Sequence, residues 1–324
     1  MSARTVGSSR RTCRPSGLLI NVGAERKHLT HRWAYLLLTL PPLFWAGNAV
    51  LARGVVELIP PVAMSFWRWV IALGLLLPFT WRRVARDWPG IRAGWKNILQ
   101  VGLLGIACFN TLLYTAARTT TAINITLTQS VMPAVIVLIS FLLYRERISR
   151  LQLLAVCLCI LGAAYIVMHG EWQRLSRLSF VQGDLLMLLA VCLYALYSVL
   201  LRNRPAIHPL SFLTTTFGVG VVALFPFYLW ERGHVAPLQL SWSVVASLLY
   251  VGLLPSIAAY LCWNRGIELV GANRAGLFVN LVPLFASLMA IFFLGEQLQS
   301  YHLLGMVLIF SGLALFNRPR PRGR

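Results

Sequence analysis

The chain repeatedly runs apolar for about twenty residues, breaks at a charged or polar turn, and starts again. WAYLLLTLPPLFWAG, WVIALGLLLPFTW and LLAVCLCILGAAYIV are three such runs. A helix needs roughly 20 mostly apolar residues to cross a bilayer, and in hydrocarbon its backbone groups must pair within the segment. The chain divides into ten blocks of this kind, near 33–52, 62–81, 97–117, 122–144, 150–168, 183–201, 210–230, 242–262, 273–294 and 301–317. A membrane barrel would instead show ten-residue alternating segments. The expectation is an all-α integral membrane protein with ten transmembrane helices. Composition agrees, since 58% of the 324 residues are hydrophobic and only 12% charged, about half the charged share of a soluble domain.

The formal charge of +20 is informative through its distribution. If both termini share one side of the membrane, 23 of the 29 Lys and Arg fall on that side. They are the seven before residue 33, the five from Arg82 to Lys96, then Arg145, Arg147, Arg150, Arg202, Arg204, Arg265, Arg274 and the four of RPRPRGR. Arg53, Arg118, Arg174, Arg177 and Arg232 fall opposite, and Arg68 lies within a span. This is the positive-inside bias, which places both termini in the cytoplasm and the chain, multi-pass, in the cytoplasmic membrane. Membrane topology thus explains the charge, with membrane lipids rather than nucleic acid as the partner of the basic surface. Residues 1–32 have no apolar signal core and read as a disordered basic tail. The six cysteines form no C-x-x-C pair, so neither a disulfide framework nor a metal site is expected.

The chain also repeats itself. MPAVIVLISFLLYRERISR, from residue 132, is echoed 150 residues later by VPLFASLMAIFFLGEQLQS. Pro133 meets Pro283, Glu146 meets Glu296 and Gly162 meets Gly312. At an offset of 149, Ala46, Val50, Leu51 and Arg53 meet Ala195, Val199, Leu200 and Arg202, and Pro60 meets Pro209. Two five-helix halves follow, 33–168 and 181–317, joined by a polar connector at 169–180 and ending in a basic tail at 318–324. An odd number of spans per half makes the second copy enter from the opposite face. Inverted repeats of this kind are the usual architecture of secondary transporters, with the substrate site at the midplane between the halves. The two glutamates mark equivalent membrane edges, where each can cap a helix.

The pattern FWAGNAVLARGV, then PP and an Arg opening span 2, then Y-x-x-A, the spaced Ala and Pro, and GE or RE before a Gly-containing helix, resembles the EamA-type drug/metabolite transporters. The resemblance covers nearly the whole chain beyond the tail. Within that superfamily the aromatic-rich spans are most similar to amino-acid exporters of the YddG type. It implies transport of a small-molecule substrate, outward, with amino acids as the cargo. Two features depart from the pattern: SFWRW is unusually aromatic around its Arg, and Arg145 stands where a glycine is usual.

All nine acids and all six histidines fall in loops, in the tail or at helix ends. A proton-coupled carrier typically keeps such a group deep in the bundle. The expectation is therefore a facilitator or uniporter working by alternating access. The spans offer uncharged polar and aromatic groups instead, and these pair across the repeat: Trp45 with Tyr194, Asn48 with Tyr197, Asn110 with Tyr260, Ser130 with Asn280. Tyr114 lies near Trp263, and Gln129 adjoins Ser130. A buried amide in lipid must be satisfied, so these side chains face the interior. There they either wall a cavity for small amphiphilic solutes or act as interhelical packing, worth about 0.6 kcal/mol each. For Trp263, near the end of its span, an interfacial belt is a further reading. As a set, paired across the repeat, they favour a cavity built by spans 1–4 and 6–9.

Arg68 has two readings as well. It can receive a substrate carboxylate, or it can snorkel or pair with Glu57 while Trp67 and Trp69 cover its plane. Since the family pattern holds an Arg there irrespective of substrate, the balance leans to structure. Ala155, Gly162, Gly305 and Gly312 give spans 5 and 10 small-residue faces, for close packing or a dimer seam, so a monomer or a homodimer fits. Phosphate loops, nucleophile elbows and cofactor motifs are absent, which disfavours a lipid-processing enzyme. The duplication disfavours a receptor. A drug or nucleotide-sugar carrier of the same superfamily stays open, although a diphosphate calls for more cavity cations than Arg68.

Overall fold

Each apolar block overlaps one helical run. The computed structural model describes residues 18–55, 57–119, 125, 128–129, 132–145, 149–167, 182–235, 238, 240–294 and 300–316. The runs are α1 (Leu18–Gly54), α2 (Pro61–Ala93), α3 (Trp95–Thr119), α4 (Met132–Tyr144) and α5 (Arg150–Val167). The second half holds α6 (Gln182–Leu200), α7 (Pro209–His234), α8 (Trp242–Val270), α9 (Ala272–Leu277 continuing through a 3-10 turn at Phe278–Asn280 into Leu281–Leu294) and α10 (Ser300–Phe316). No strand occurs among the described residues. Among the described residues, six helices are long and apolar enough to cross a membrane: Trp33–Ala52, Pro61–Ala93, Trp95–Thr119, Leu185–Asn203, Pro209–His234 and Trp242–Val270. Large apolar side chains such as Phe79, Val222 and Phe227 stand exposed on the outside of the bundle, as lipid-facing residues do. This is a multi-pass membrane protein.

Three boundaries differ from expectation. Residues 18–32, expected as disordered tail, belong to α1. Helix α2 runs twelve residues past the predicted span end at 81, through Pro89 and Gly90, because charged residues end an apolar block without ending a helix. Helix α8 continues through 263 to Val270, so Trp263 lies inside the helix rather than at its end. Residues 1–17, the connector 169–180, the tail 318–324, and Ser130, Glu146 and Glu296 lie outside the described residues.

Helix ends follow local chemistry. Pro61 opens α2, where its missing N–H costs nothing. The next two N–H groups are held by a carboxylate from α7: Val62 N donates to Glu231 Oε1 at 3.0 Å and Ala63 N to Oε2 at 2.6 Å. At the other end of this helix pair, His208 N donates to Asp87 Oδ2 of α2 at 3.2 Å. Gly271, at φ +85°, breaks α8 from α9 in the left-handed region that favours glycine. Arg145 closes α4 at φ 53°, with its N–H on Phe141 O at 2.8 Å. That C-terminal position prefers glycine, and it is where this chain departs from the family pattern.

The packing repeats with the halves exchanged. Helix α1 packs on α8 as α6 does on α3, and α1 on α9 as α6 does on α4, while α2 pairs with α7 and α5 with α10. The α5–α10 seam is reciprocal in detail. A Cβ on Gly162 would stand 2.8 Å from Gly305 O, and one on Gly312 would stand 2.8 Å from Ala155 O. The small residues are consumed within one chain, so they provide no dimer seam.

Candidate functional site

The centre of the bundle is built around two interruptions of helix geometry. Helix α3 widens into a π turn at Gly102–Cys108, and α8 does the same at Leu253–Ala258. Such turns free backbone carbonyls from the helix ladder. In α8, Pro255 has no N–H for Val251 O, and Ser256 Oγ donates there at 2.6 Å instead. Ala259 N bonds back to Leu254 O, leaving Pro255 O to face the interior.

Arg68 fills the space so made. Its side chain is 1% exposed. Nε donates to Ser256 Oγ at 2.6 Å, Nη1 to Asn110 Oδ1 and Tyr114 Oη at 2.7 Å each, and Nη2 to Pro255 O at 2.9 Å. Its guanidinium carbon sits 4.8 Å from the Trp69 ring centre. The residue therefore neither snorkels nor pairs with Glu57, which is exposed. The reason is geometric: the π turn supplies interior acceptors closer than any surface. No carboxylate neutralises the charge among the described contacts. Four neutral oxygens do that work, an arrangement that costs desolvation energy yet leaves most donors satisfied.

Beside this cage lies a void of about 20 Å³, walled by Trp45, Asn48, Phe109, Asn110, Gln129, Tyr194 and Tyr260 together with Ala49, Leu113, Met132 and Val279. A single water needs about that much room. Six of the residues singled out from the sequence share this wall. Arg68 and Tyr114 stand one layer behind it. Trp45 Nε1 donates to Pro255 O at 3.3 Å, and its ring meets those of Tyr194 and Trp263 at 5.7 and 5.3 Å. Trp263 is fully buried, which removes the interfacial reading. Asn280 is buried in the 3-10 turn of α9, off the void wall.

A far larger cavity, about 760 Å³, opens at the basic end of the bundle, lined in part by Arg202, Arg204, Asn264, Glu268 and Arg274. Arg204 and Arg265 each reach Glu268 at 2.8 Å. Asn264 faces this vestibule and accepts from Tyr197 Oη at 2.6 Å. The Tyr197 ring packs on Tyr194 and Tyr260, at 4.9 and 5.9 Å. One hydrogen-bonded pair thus stands between vestibule and void. Its counterpart lies across the void, where Tyr114 Oη donates to Asn48 Oδ1 at 2.9 Å.

Several central polar atoms have no partner among the described residues: Tyr194 Oη, Trp263 Nε1, and both Oδ1 and Nδ2 of Asn280. Buried polar atoms without partners are rare, and each calls for an explanation. Sequence reasoning missed Ser256 and Asn264, whereas the expected cover of Arg68 by Trp69 is present. Asn264 could have been found, because it lies 150 residues after Tyr114, the offset of the repeat. Ser256 follows a mid-helix proline, a signal for displaced carbonyls. Among the described residues no group of three His, Cys, Asp or Glu is placed to hold a metal ion.

Comparison with known proteins gives a consistent answer. A sequence profile described as the EamA-like transporter family matches residues 32–168 and again residues 181–318. The uncharacterized transporter YyaM of Bacillus subtilis is 25% identical over 288 residues, covering 89% of this chain and 93% of its own. An uncharacterized transporter of Archaeoglobus fulgidus is 28% identical over 283 residues, covering 87% and 96%. A protein of known crystal structure superposes with a TM-score of 0.71 over 88% of this chain and 96% of its own, at 17% identity. At that identity the likeness is one of fold alone.

Proposed function

This chain belongs to the EamA-like transporter family, and on that premise we propose that it is a facilitative secondary transporter of the cytoplasmic membrane. Its ten helices form two inverted five-helix repeats, with both termini in the cytoplasm. The cargo is amino acids or similar small amphiphilic metabolites, moved outward by alternating access.

One observation carries the proposal. The two halves contribute jointly to a central polar and aromatic void, and a hydrogen-bonded Tyr–Asn pair lies on either side of it. Nearly equivalent halves can hold inward-open and outward-open arrangements of similar energy. The positive-inside bias makes the vestibule end cytoplasmic. Breaking Tyr197–Asn264 would then join the void to the cytoplasm, and breaking Tyr114–Asn48 would open the other side. The aromatic walls suit an apolar side chain, and the amides and hydroxyls suit a polar backbone. The outward direction of net transport rests on the family resemblance.

Uniport rests on where the acids stand. Glu231 is the buried acid among the described residues, and it lies in the last turn of α7, clamped on α2. It is not in the central cluster. Uptake of labelled amino acids by proteoliposomes, with and without an imposed pH gradient, tests the reading. The expected result is equilibration down the amino-acid gradient at equal extent in both conditions. Accumulation driven by the pH gradient alone would overturn uniport, and no uptake of any amino acid would overturn the cargo.

A further inference from the structure

Hydrogen-bond direction at the void is fixed by the one residue that can only donate. Arg68 has no acceptor, so at 2.7 Å the Tyr114 hydroxyl must accept from it. The tyrosine proton then points to Asn48, whose oxygen receives it at 2.9 Å. That leaves the amide N–H groups of Asn48 as its free polar end, on a residue that lines the void. The same logic removes Asn110 from consideration. Its oxygen is taken by Arg68, and its nitrogen lies 3.3 to 3.4 Å from Gly105 O, Ile106 O and Tyr260 Oη. Tyr260 in turn donates to Gly105 O, and Trp45 Nε1 is spent on Pro255 O. On the wall the free groups whose direction is set are the Asn48 donors, together with the unpartnered Tyr194 hydroxyl, 1% exposed.

We propose that this corner of the void is a carboxylate subsite in which Asn48 is the specificity-determining contact and Arg68, acting through Tyr114, is a positioning residue. The inference rests on the transporter reading above and deepens it by assigning which end of the cargo goes where. A carboxylate only accepts, so it matches a donor that cannot turn round. The guanidinium lies one hydrogen bond behind, in a region of low dielectric, and favours a negative group at Asn48 without touching it. Tyr194 can donate to the second carboxylate oxygen. The apolar remainder of the cargo then lies against Trp45, Phe109 and Met132. At about 20 Å³ the void has room for about one water and none for the cargo, so binding requires the Tyr197–Asn264 side to open.

The test uses the full-length protein in proteoliposomes with three probes of one shape: L-phenylalanine, L-phenylalaninamide and phenethylamine. The readout is the ratio of acid to amine in competition against labelled phenylalanine counterflow. Wild type is expected to prefer the acid over both probes that lack a carboxylate by about tenfold or more, the value of a hydrogen bond to a charged group. Asn48→Asp, nearly isosteric, replaces donors by a negative acceptor and should invert the ratio. Asn48→Ser, which adds no charge, should bring it toward unity, and Tyr114→Phe, which frees Asn48 to flip, should lower it about threefold. Thermal unfolding of each variant reports whether it is folded. A wild-type ratio near unity, or an Asp variant with the wild-type ratio, overturns the subsite while leaving the transporter reading in place. A wild type that moves none of the three probes contradicts the cargo reading itself, and the subsite falls with it.

Discussion

Two tyrosine–asparagine pairs face each other across the central void, and they differ in what stands behind them. Tyr114–Asn48 and Tyr197–Asn264 are counterparts under the repeat, with tyrosine and asparagine exchanged between helices. The first is tied to a guanidinium that also holds Asn110, Ser256 and Pro255 O. Behind the second lies a basic vestibule of about 760 Å³. One pair is therefore anchored in a fully buried network, and the other borders an open space where water can replace its bond. On the alternating-access reading proposed above, the two pairs serve as gates, and the one beside the vestibule is expected to open first.

The largest effect should come from removing the anchor. Arg68→Met strands acceptors on Ser256, Asn110 and Tyr114, each worth about 1–3 kcal/mol when left unpaired in the interior. The expected outcome is loss of transport and a sharply lower melting temperature in detergent. An unchanged melting temperature would show that the two gates are not unequal in the way described. Tyr197→Phe should cost less, about 1 kcal/mol, because Asn264 faces the vestibule. It should raise labelling of an Ala49→Cys reporter on the void wall by a water-soluble maleimide, and the corresponding Tyr114→Phe change should not raise it from the basic side.

Tyr194→Phe sharpens the comparison from within the void. The hydroxyl has no partner among the described residues, so its removal should leave stability unchanged or slightly raised. Apparent substrate affinity should fall by about threefold to tenfold, the value of one hydrogen bond. A loss of stability with unchanged affinity would make this hydroxyl structural. The smallest effect concerns the C-terminal end of α4. Arg145→Gly relieves a left-handed backbone and should raise stability by about 1 kcal/mol, read as a higher melting temperature with unaltered transport.

Much of the scaffold was legible in the sequence because it depends on length and period. Runs of twenty apolar residues located the helices, and the echo of Pro133, Gly162 and their counterparts located the overlay of the halves. The overlay also pointed to Trp45, Asn48, Asn110, Tyr194 and Tyr260, which share one wall. What the sequence could not give was rotation and depth. Whether Arg68 turns toward lipid or interior depends on a π turn in another helix, 187 residues away in sequence. The Tyr197–Asn264 bond needed the register of Asn264 against Tyr114 rather than of its neighbour Trp263. The extension of α2 beyond the membrane was hidden because charged residues end an apolar block without ending a helix.

The central claim is that one site between the halves is reached from the two sides in turn. Counterflow tests it most directly. Proteoliposomes loaded with unlabelled phenylalanine and diluted into trace label should accumulate that label transiently above its equilibrium level, with no ion gradient present. Replacement of the void residue Trp45 by Ala should abolish the overshoot. Label that enters monotonically to equilibrium, without an overshoot, would mean a channel-like path and would contradict the account.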